Sequence, residues 1–377
     1  MRKLLALGAA LAVVLTVLPA LPARGEEVPL SAPAAVLMEA STGRVLYEKN
    51  PHELRPCASI TKVMTLCLTF EALDAGQLAL DQMLTASAHA ASMGGSDIWL
   101  EEGEQMTVDD LLKATVIMSA NDAAVVLAEA VAGSEPAFVS RMNEKAAALG
   151  MKDTTFKNCN GLDEDGHLTS AYDVALMSRE LLTHPKIFDY TLTWMDSLRD
   201  GATQLVNTNK LIRTYPGLTG LKTGTTGKAG SCVAATAKRE GLSLISVILG
   251  ADTTQHRFED AAALLDYGFA GWAVTTPELP ELPALPVDRG LEETVSLEAG
   301  PLPSLLTEAL RKNDVETQVD LPERVPAPVS RGDVLGHIRY SLDGEILATV
   351  DLTAAGDVGA VTFSTALQAV LCGFFTF

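Results

Sequence analysis

A serine and a lysine three positions apart, in Ser59-Ile60-Thr61-Lys62, are the first residues in the chain whose types and spacing suggest chemistry. Residues i and i+3 share one face of a helix, so Lys62 can reach the Ser59 hydroxyl. A lysine amine removes a serine proton only when it is neutral, a state that burial and nearby cations favour. The spacing alone is weak evidence, because about one such motif is expected by chance in a chain of this size. A surface helix with Ser59 as its N-cap is the alternative interpretation.

Two further motifs add a hydroxyl, an amide and a cation. Ser119-Ala120-Asn121 lies in an apolar stretch, where polar side chains are costly unless paired. A proton relay and an amide that holds substrate would explain it, and a helix break with local hydrogen bonds explains it equally well. Lys222-Thr223-Gly224 precedes a strand-like run, where Lys222 and Thr223 could hold a carboxylate and Gly224 could admit a close substrate backbone. A tight turn with a solvated lysine is the alternative there.

Hydrophobic periodicity predicts the elements that must position these motifs. Two strands are expected within 34–48 around Ser41-Thr42-Gly43, and two more within 230–249 around Arg239-Glu240-Gly241. Helices are expected over four central segments and one closing segment: 59–75, 108–132, 135–149, 171–182 and 257–269. This order has strands first, helices in the middle, and strands and a helix last. It indicates an α/β (α+β) unit in which a sheet packs with a helical cluster.

The two ends of the chain differ in composition from this central unit. Residues 1–25 have a short basic start, an apolar run and a small-residue site, which predict a secretory signal peptide; a membrane anchor is the alternative. A proline at every third position over 276–287 predicts an extended linker, followed by a small β domain over 288–357 with a hairpin at residues 341–345. Residues 358–377 form an uncharged amphipathic tail, expected to lie on a membrane surface or, alternatively, to pack on the protein.

Composition excludes several classes of function. The chain has 377 residues, enough for two folded units, and its formal net charge of −20 argues against nucleic acid and against a polybasic grip on lipid. Its 5 cysteines show no metal-binding spacing, so zinc is not expected. We expect the cysteines to be unpaired and buried, although an exported protein permits a disulfide. No cofactor is expected.

Together and in this order, the three motifs resemble those of the low-molecular-mass penicillin-binding proteins, specifically the serine-type D-alanyl-D-alanine carboxypeptidases of peptidase family S11. Segments such as PCASITKVMT, LLKATVIMSANDAA and GLKTGTTGKAGSC look like that family, and the likeness covers about residues 30–270. The resemblance implies a β-lactamase/transpeptidase-like catalytic domain, here 26–275, with a small all-β C-terminal domain. It also implies an exported enzyme at the outer face of the cytoplasmic membrane.

Roles for individual residues follow from the resemblance. Ser59 would be the acylated nucleophile, Lys62 its general base and Ser119 a proton relay. Asn121 would hold the peptide side of the substrate.

The remaining residues would bind the other parts of the substrate. Lys222 and Thr223 would bind its terminal carboxylate, with Gly224 beside them and Arg257 as a further ligand. The backbone N–H groups of Ser59 and Thr225 would form the oxyanion hole.

The implied reaction removes the terminal D-alanine from a peptidoglycan stem peptide, and β-lactams would acylate the same serine. A class A β-lactamase is one rival, although the Glu-x-x-Leu-Asn loop on which such enzymes rely is not found between the second and third motifs. A DD-endopeptidase, a transpeptidase and a non-catalytic peptidoglycan-binding protein are the others.

Overall fold

We describe a computed structural model of the chain, which covers residues 28–364 and residue 367. Its first unit is built on an antiparallel sheet with the strand order β2-β1-β9-β8-β7. These strands are β1 (Ala34–Glu39), β2 (Val45–Lys49), β7 (Leu218–Thr226), β8 (Gly230–Arg239) and β9 (Leu242–Ala251). Strand β7 therefore forms one edge of the sheet, and the third motif lies on it. Both predicted strand pairs are confirmed.

Both faces of this sheet are buried, so its central strands are apolar at nearly every position. On β1, Val36 and Met38 face the helical cluster, whereas Ala35 and Leu37 face the opposite side. That opposite side is covered by α9 (Thr254–Gly271) and the short α8 (Leu211–Thr214). The sheet is thus the middle of three layers.

The helical cluster is centred on α1 (Lys62–Asp74), whose residues are almost all buried. The other helices of the unit are α2 (Ala88–Ala91), α3 (Val108–Lys113), α4 (Asn121–Ala132), α5 (Glu135–Ala148), α6 (Ala171–Leu181) and α7 (Ile187–Thr191). Two small hairpins complete it, made of β3 (Met83–Thr85) with β4 (Gln105–Thr107) and β5 (Met195–Leu198) with β6 (Thr203–Val206).

The predicted helix over 108–132 is interrupted at the second motif. Helix α3 continues as a π-helical turn, Ala114–Met118, and then Ser119 adopts a left-handed backbone with φ of 67° before α4 begins at Asn121. Hydrophobic periodicity does not report such a break, because the residues on both sides remain buried. The interruption takes Ser119 out of the helix and makes Asn121 the first residue of α4.

The second unit is all β. It has the strands β10 (Trp272–Thr275), β11 (Leu285–Asp288), β12 (Thr294–Val295), β13 (Leu297–Ala299), β14 (Leu305–Glu308), β15 (Glu316–Asp320), β16 (Val325–Pro326), β17 (Val334–Leu342) and β18 (Glu345–Ala354). Strands β17 and β18 form the predicted hairpin, and β10 pairs with β14. The antiparallel sheet with a helical cluster and the all-β C-terminal domain are both confirmed.

The linker ends earlier than its prolines indicate. Residues 276–284 form no helix or strand, but β11 begins at Leu285, inside the predicted range 276–287. Leu285 and Val287 are buried in the β domain while Pro286 is exposed, as the alternation of a strand requires. The predicted signal peptide at 1–25 and most of the tail at 358–377 lie outside the described residues. Within the described part, no single helix is long and apolar enough to cross a membrane, and the bent pair α4 and α5 meets that test only together.

Candidate active site

Ser59 lies in a 3-10 turn, Ala58–Thr61, that leads directly into α1. Neither this turn nor α1 has a side-chain cap, so the interpretation of Ser59 as an N-cap is wrong. Ala58 holds a positive φ of 50°, a conformation that costs a non-glycine residue energy unless its surroundings impose it.

Two glycines press against this turn. A Cβ on Gly161, whose φ is 87°, would lie 1.9 Å from the Ala58 carbonyl oxygen. A Cβ on Gly224 would lie 2.5 Å from the Cys57 carbonyl oxygen and 3.0 Å from the Ser59 nitrogen. The sequence interpretation assigned Gly224 to a close approach of substrate; the structure shows that the Cβ position faces the Cys57–Ser59 backbone instead. Glycine is required there because strand β7 must pass directly beside the serine.

Lys62 is fully buried at the start of α1. Its Nζ lies 3.1 Å from Ser59 Oγ, 2.5 Å from Asn121 Oδ1 and 2.7 Å from the Asn160 carbonyl oxygen. Burial lowers the pKa of Lys62 to about 7, and the nearby carboxylates of Asp97 and Asp122 oppose that shift only in part. A large fraction of this amine is therefore neutral at neutral pH.

The second motif meets the first through Lys62. Asn121 accepts from Lys62 through Oδ1, donates from Nδ2 to the Gly94 carbonyl at 2.6 Å, and donates from its backbone nitrogen to the Ser96 carbonyl at 2.6 Å. Ser119 Oγ is buried and has no hydrogen-bond partner within the described residues. A buried hydroxyl without a partner is costly, so this oxygen is available for a bound group.

The third motif lies on the edge strand β7. Lys222 is 1% exposed, and burial together with the charges of Lys62 and Arg257 holds its pKa well below the ordinary value. Its Nζ donates to the Thr223 carbonyl at 3.3 Å, and Thr223 Oγ1 donates to Thr208 Oγ1 at 2.8 Å. Thr225, two residues on, is exposed. The strand thus presents a buried amine and hydroxyls beside the serine turn.

Arg257 supports this strand from α9. Its Nη1 donates to Thr225 Oγ1 at 2.8 Å and to the Gly224 carbonyl at 3.1 Å. The residue is 5% exposed, and its Nε is buried without a partner among the described residues. Lys62, Lys222 and Arg257 therefore form a group of buried basic side chains around the third motif, and the guanidinium of Arg257 gives this side of the site a positive potential.

His167, to which the sequence analysis gave no role, is structural in its contacts. Its Nδ1 accepts from the Lys157 backbone nitrogen at 3.1 Å, so Nε2 carries the proton and donates to Thr61 Oγ1 at 2.8 Å. Burial lowers the pKa of His167 to about 4. The neutral imidazole thus holds Thr61, the residue that precedes Lys62.

One group of metal-ligand side chains occurs in the described chain, away from the serine. Ligand atoms of Glu71, Glu180 and His184 lie within 4.8 Å of one another. The Lys145 ammonium lies 2.6 Å from carboxylate oxygens of both glutamates, so an internal cation already pairs with them.

All three motifs thus converge around Ser59, and comparison with known proteins identifies the family that shares this arrangement. Residues 22–253 match the model of the D-alanyl-D-alanine carboxypeptidase family, and residues 282–360 match the C-terminal domain of penicillin-binding protein 5. The chain belongs to the D-alanyl-D-alanine carboxypeptidase family. It is 42% identical to the D-alanyl-D-alanine carboxypeptidase DacF of Bacillus subtilis over 92% of this chain and 90% of that protein. It is 34% identical to DacC of Escherichia coli over 84% of this chain and 81% of that protein.

Solved structures of the family agree with the fold. Penicillin-binding protein 5 from Haemophilus influenzae superposes with a TM-score of 0.74 at 29% identity, covering 88% of this chain and 98% of that one. The ampicillin-bound penicillin-binding protein D2 of Listeria monocytogenes matches with a TM-score of 0.60 at 36% identity, covering 65% of this chain and 100% of that one. The likeness to penicillin-binding protein 5 therefore extends over most of both units.

Sequence reasoning missed several residues that build this site. Asn160 contributes only a carbonyl oxygen, and any residue type supplies one, so no sequence signal marks it. Thr208 meets Thr223 from a loop 15 positions away, and the Asp122 carboxylate accepts from the backbone nitrogens of Ile98 and Leu100. Gly161 gave the only usable signal, an Asn-Gly pair in a polar loop, which predicts a turn but not its partner.

Proposed function

We propose that this carboxypeptidase releases the terminal D-alanine of peptidoglycan stem peptides through an acyl-enzyme on Ser59. The observation that carries the proposal is the set of three oxygen neighbours of Lys62 Nζ. A neutral amine has two N–H donors and one lone pair. Asn121 Oδ1 and the Asn160 carbonyl can only accept, so they take the two donors and leave the lone pair for the Ser59 proton. Lys62 is thus arranged as the general base.

Acylation follows from that arrangement. Ser59 Oγ attacks the carbonyl between the last two D-alanines as Lys62 takes its proton, and a C–O bond forms. The tetrahedral intermediate then expels the D-alanine amine, which needs a proton. We assign its delivery to Ser119, whose unpartnered hydroxyl relays it from Lys62.

Binding of the substrate is assigned to two sides of the serine. Lys222 and Thr223, with the positive potential of Arg257 behind them, hold the terminal carboxylate. Asn121 holds the peptide amide. The backbone nitrogens of Ser59 and Thr225 stabilise the oxyanion, which the close packing of Gly224 against the Ser59 nitrogen supports.

Water completes the turnover by attacking the acyl-enzyme, with Lys62 again as base, and the shortened stem peptide leaves. A β-lactam imitates the terminal dipeptide and acylates the same serine, but its leaving group stays attached.

The β-lactamase alternative is not favoured, because no Glu-x-x-Leu-Asn segment lies between the second and third motifs. An endopeptidase or transpeptidase would use the same acyl-enzyme with another bond or acceptor.

A substrate in the cell envelope requires an exported enzyme, and we assign the two ends of the chain and the linker accordingly. Residues 1–25 act as a signal peptide, 276–284 as the linker and 358–377 as a tail that associates with the membrane. The β domain, which begins at Leu285, holds the catalytic unit at a distance from that surface.

The direct test is release of free D-alanine from a diacyl-D-Ala-D-Ala tripeptide by the wild type and by Ser59→Ala. We expect release by the wild type and a loss of at least about a thousandfold in the variant. Ser140→Ala, which removes an exposed serine hydroxyl on α5, is the matched control and should release D-alanine as the wild type does. Release that survives Ser59→Ala would refute the proposal.

A further inference from the structure

Trp99 combines an exposed side chain with a tightly held backbone, and the reaction above uses neither. The residue is 74% exposed although its neighbours Ile98 and Leu100 are buried. Its φ is 54°, in the left-handed region that bulky side chains rarely adopt. Such a conformation persists only where the surrounding structure imposes it, and conformations of this kind cluster at functional sites.

Charged side chains impose it from both sides. The Asp122 carboxylate accepts from the backbone nitrogens of Ile98 at 3.1 Å and Leu100 at 3.0 Å. Arg199 donates to the Ile98 carbonyl at 2.9 Å, and its guanidinium also pairs with Glu104 at 2.7 Å. The backbone therefore cannot turn to bury the indole, and the exposure of Trp99 is a property of the fold.

The same segment contacts the substrate side of the active site. The Ser96 carbonyl accepts from the Asn121 backbone nitrogen at 2.6 Å, and Asn121 shares Lys62 with Ser59. Trp99 lies three positions after Ser96, and three residue steps span at most about 11 Å. Between the scissile bond and the sugar, an extended stem of four residues spans about 14 Å. Trp99 therefore lies within one stem length of the Ser96–Asn121 contact, close enough for the sugar-bearing end of a bound substrate to reach it.

We propose that Trp99 packs against a sugar ring of the glycan chain and makes the enzyme prefer stem peptides that are still attached to sugar. The inference rests on the proposed function. The C–H face of a pyranose ring is apolar and fits the flat indole, whose N–H can donate to a sugar hydroxyl. Glu101 and Glu102 follow Trp99 and are both exposed, which favours an uncharged ligand over an anionic one.

The test compares kcat/KM for a disaccharide pentapeptide with kcat/KM for the same pentapeptide without sugar. In Trp99→Asn, whose side chain tolerates the left-handed backbone, the ratio should fall about fivefold to tenfold. Trp99→Phe should retain part of the ratio because it keeps an aromatic face. Leu310→Asn, at a residue 96% exposed in the β domain, is the matched control and should keep the wild-type ratio. Covalent labelling by penicillin verifies that each variant is folded.

A ratio in Trp99→Asn equal to that of the wild type would overturn the inference. If kcat/KM for both peptides also fell by the same factor, Trp99 would be placed against the peptide. Indole fluorescence of Ser59→Ala, titrated with the disaccharide pentapeptide, reads binding without turnover. Two results together would support this inference and refute the proposed function. The titration of Ser59→Ala would saturate in a way that depends on Trp99, and the wild type would release no D-alanine. Release of D-alanine with an unchanged ratio would refute this inference alone.

Discussion

The two units of the molecule treat polar side chains in opposite ways. The first buries ionisable side chains, among them Lys62, Lys222 and Arg257, and holds them in networks around one serine. In the described part of the second unit, the buried residues with a polar side-chain atom are Thr307 and Tyr340. Burying charge costs free energy, so a fold keeps such groups where another requirement outweighs stability. The contrast locates the chemistry in the first unit.

Replacement of the buried base tests this contrast most severely. Lys62→Met should reduce acylation by penicillin about a thousandfold or more, because no neighbouring group replaces the amine lone pair. The acylation rate constant from stopped-flow or labelling kinetics measures it. Lys145→Met, which removes a half-buried lysine far from the serine, is the control for loss of a lysine charge. Wild-type acylation by Lys62→Met would remove the basis of the contrast.

The close approach beside the serine gives the next largest effect. Gly161→Ala should lower acylation about a hundredfold and destabilise the fold by about 3 kcal/mol, because the new Cβ meets the Ala58 carbonyl oxygen at 1.9 Å. Gly103→Ala is the matched control, since Gly103 has a φ of 85° and nothing within 4 Å of the new Cβ. It should show only the smaller strain of a positive φ, about 1 kcal/mol. Equal losses in the two variants would contradict the role assigned to the contact.

The pH dependence should follow the neutral amine. Because the pKa of Lys62 is about 7, the acylation rate should rise about tenfold per pH unit below that value and level off above it. Folded Lys62 loses its proton near pH 7 and the unfolded residue near its ordinary pKa of about 10.4. Unfolded chains therefore bind more protons between these values, so this residue makes stability rise with pH across that window.

Lys62→Met removes that contribution. The free energy of unfolding of the wild type minus that of Lys62→Met should increase between about pH 7 and pH 10 and stay constant below pH 7. Denaturant titrations at several pH values measure the difference. A difference that falls as pH rises would mean that the folded amine is charged above neutral pH.

The smallest effect is expected in the β domain. Arg311→Ala removes exposed ion pairs with Asp343 and Asp314. Exposed pairs contribute little, so neither penicillin acylation nor the melting temperature should change measurably. A large loss of acylation would show that the second unit takes part in the reaction, and the contrast between the units would have to be abandoned.

The fold was predictable from sequence wherever periodicity and turn residues agree. The two strand pairs, helices α5, α6 and α9 and the β17–β18 hairpin follow from such local signals. The break at Ser119 does not, because it is imposed by contacts such as Asn121 with Ser96 that lie 25 positions apart along the chain. The contacts of Gly161 and Gly224 with the serine turn are equally long-range. Sequence patterns thus predicted that the three motifs belong to one site, and the contacts that fix their side chains required the structure.

The central claim is that Ser59 becomes covalently acylated with Lys62 as its base. Mass spectrometry of peptides from penicillin-treated protein tests it most directly. The account predicts one adduct, on the peptide that contains Ser59, formed in the wild type and absent from Ser59→Ala. An adduct on a different side chain, or intact wild-type protein with no adduct at all, would contradict it.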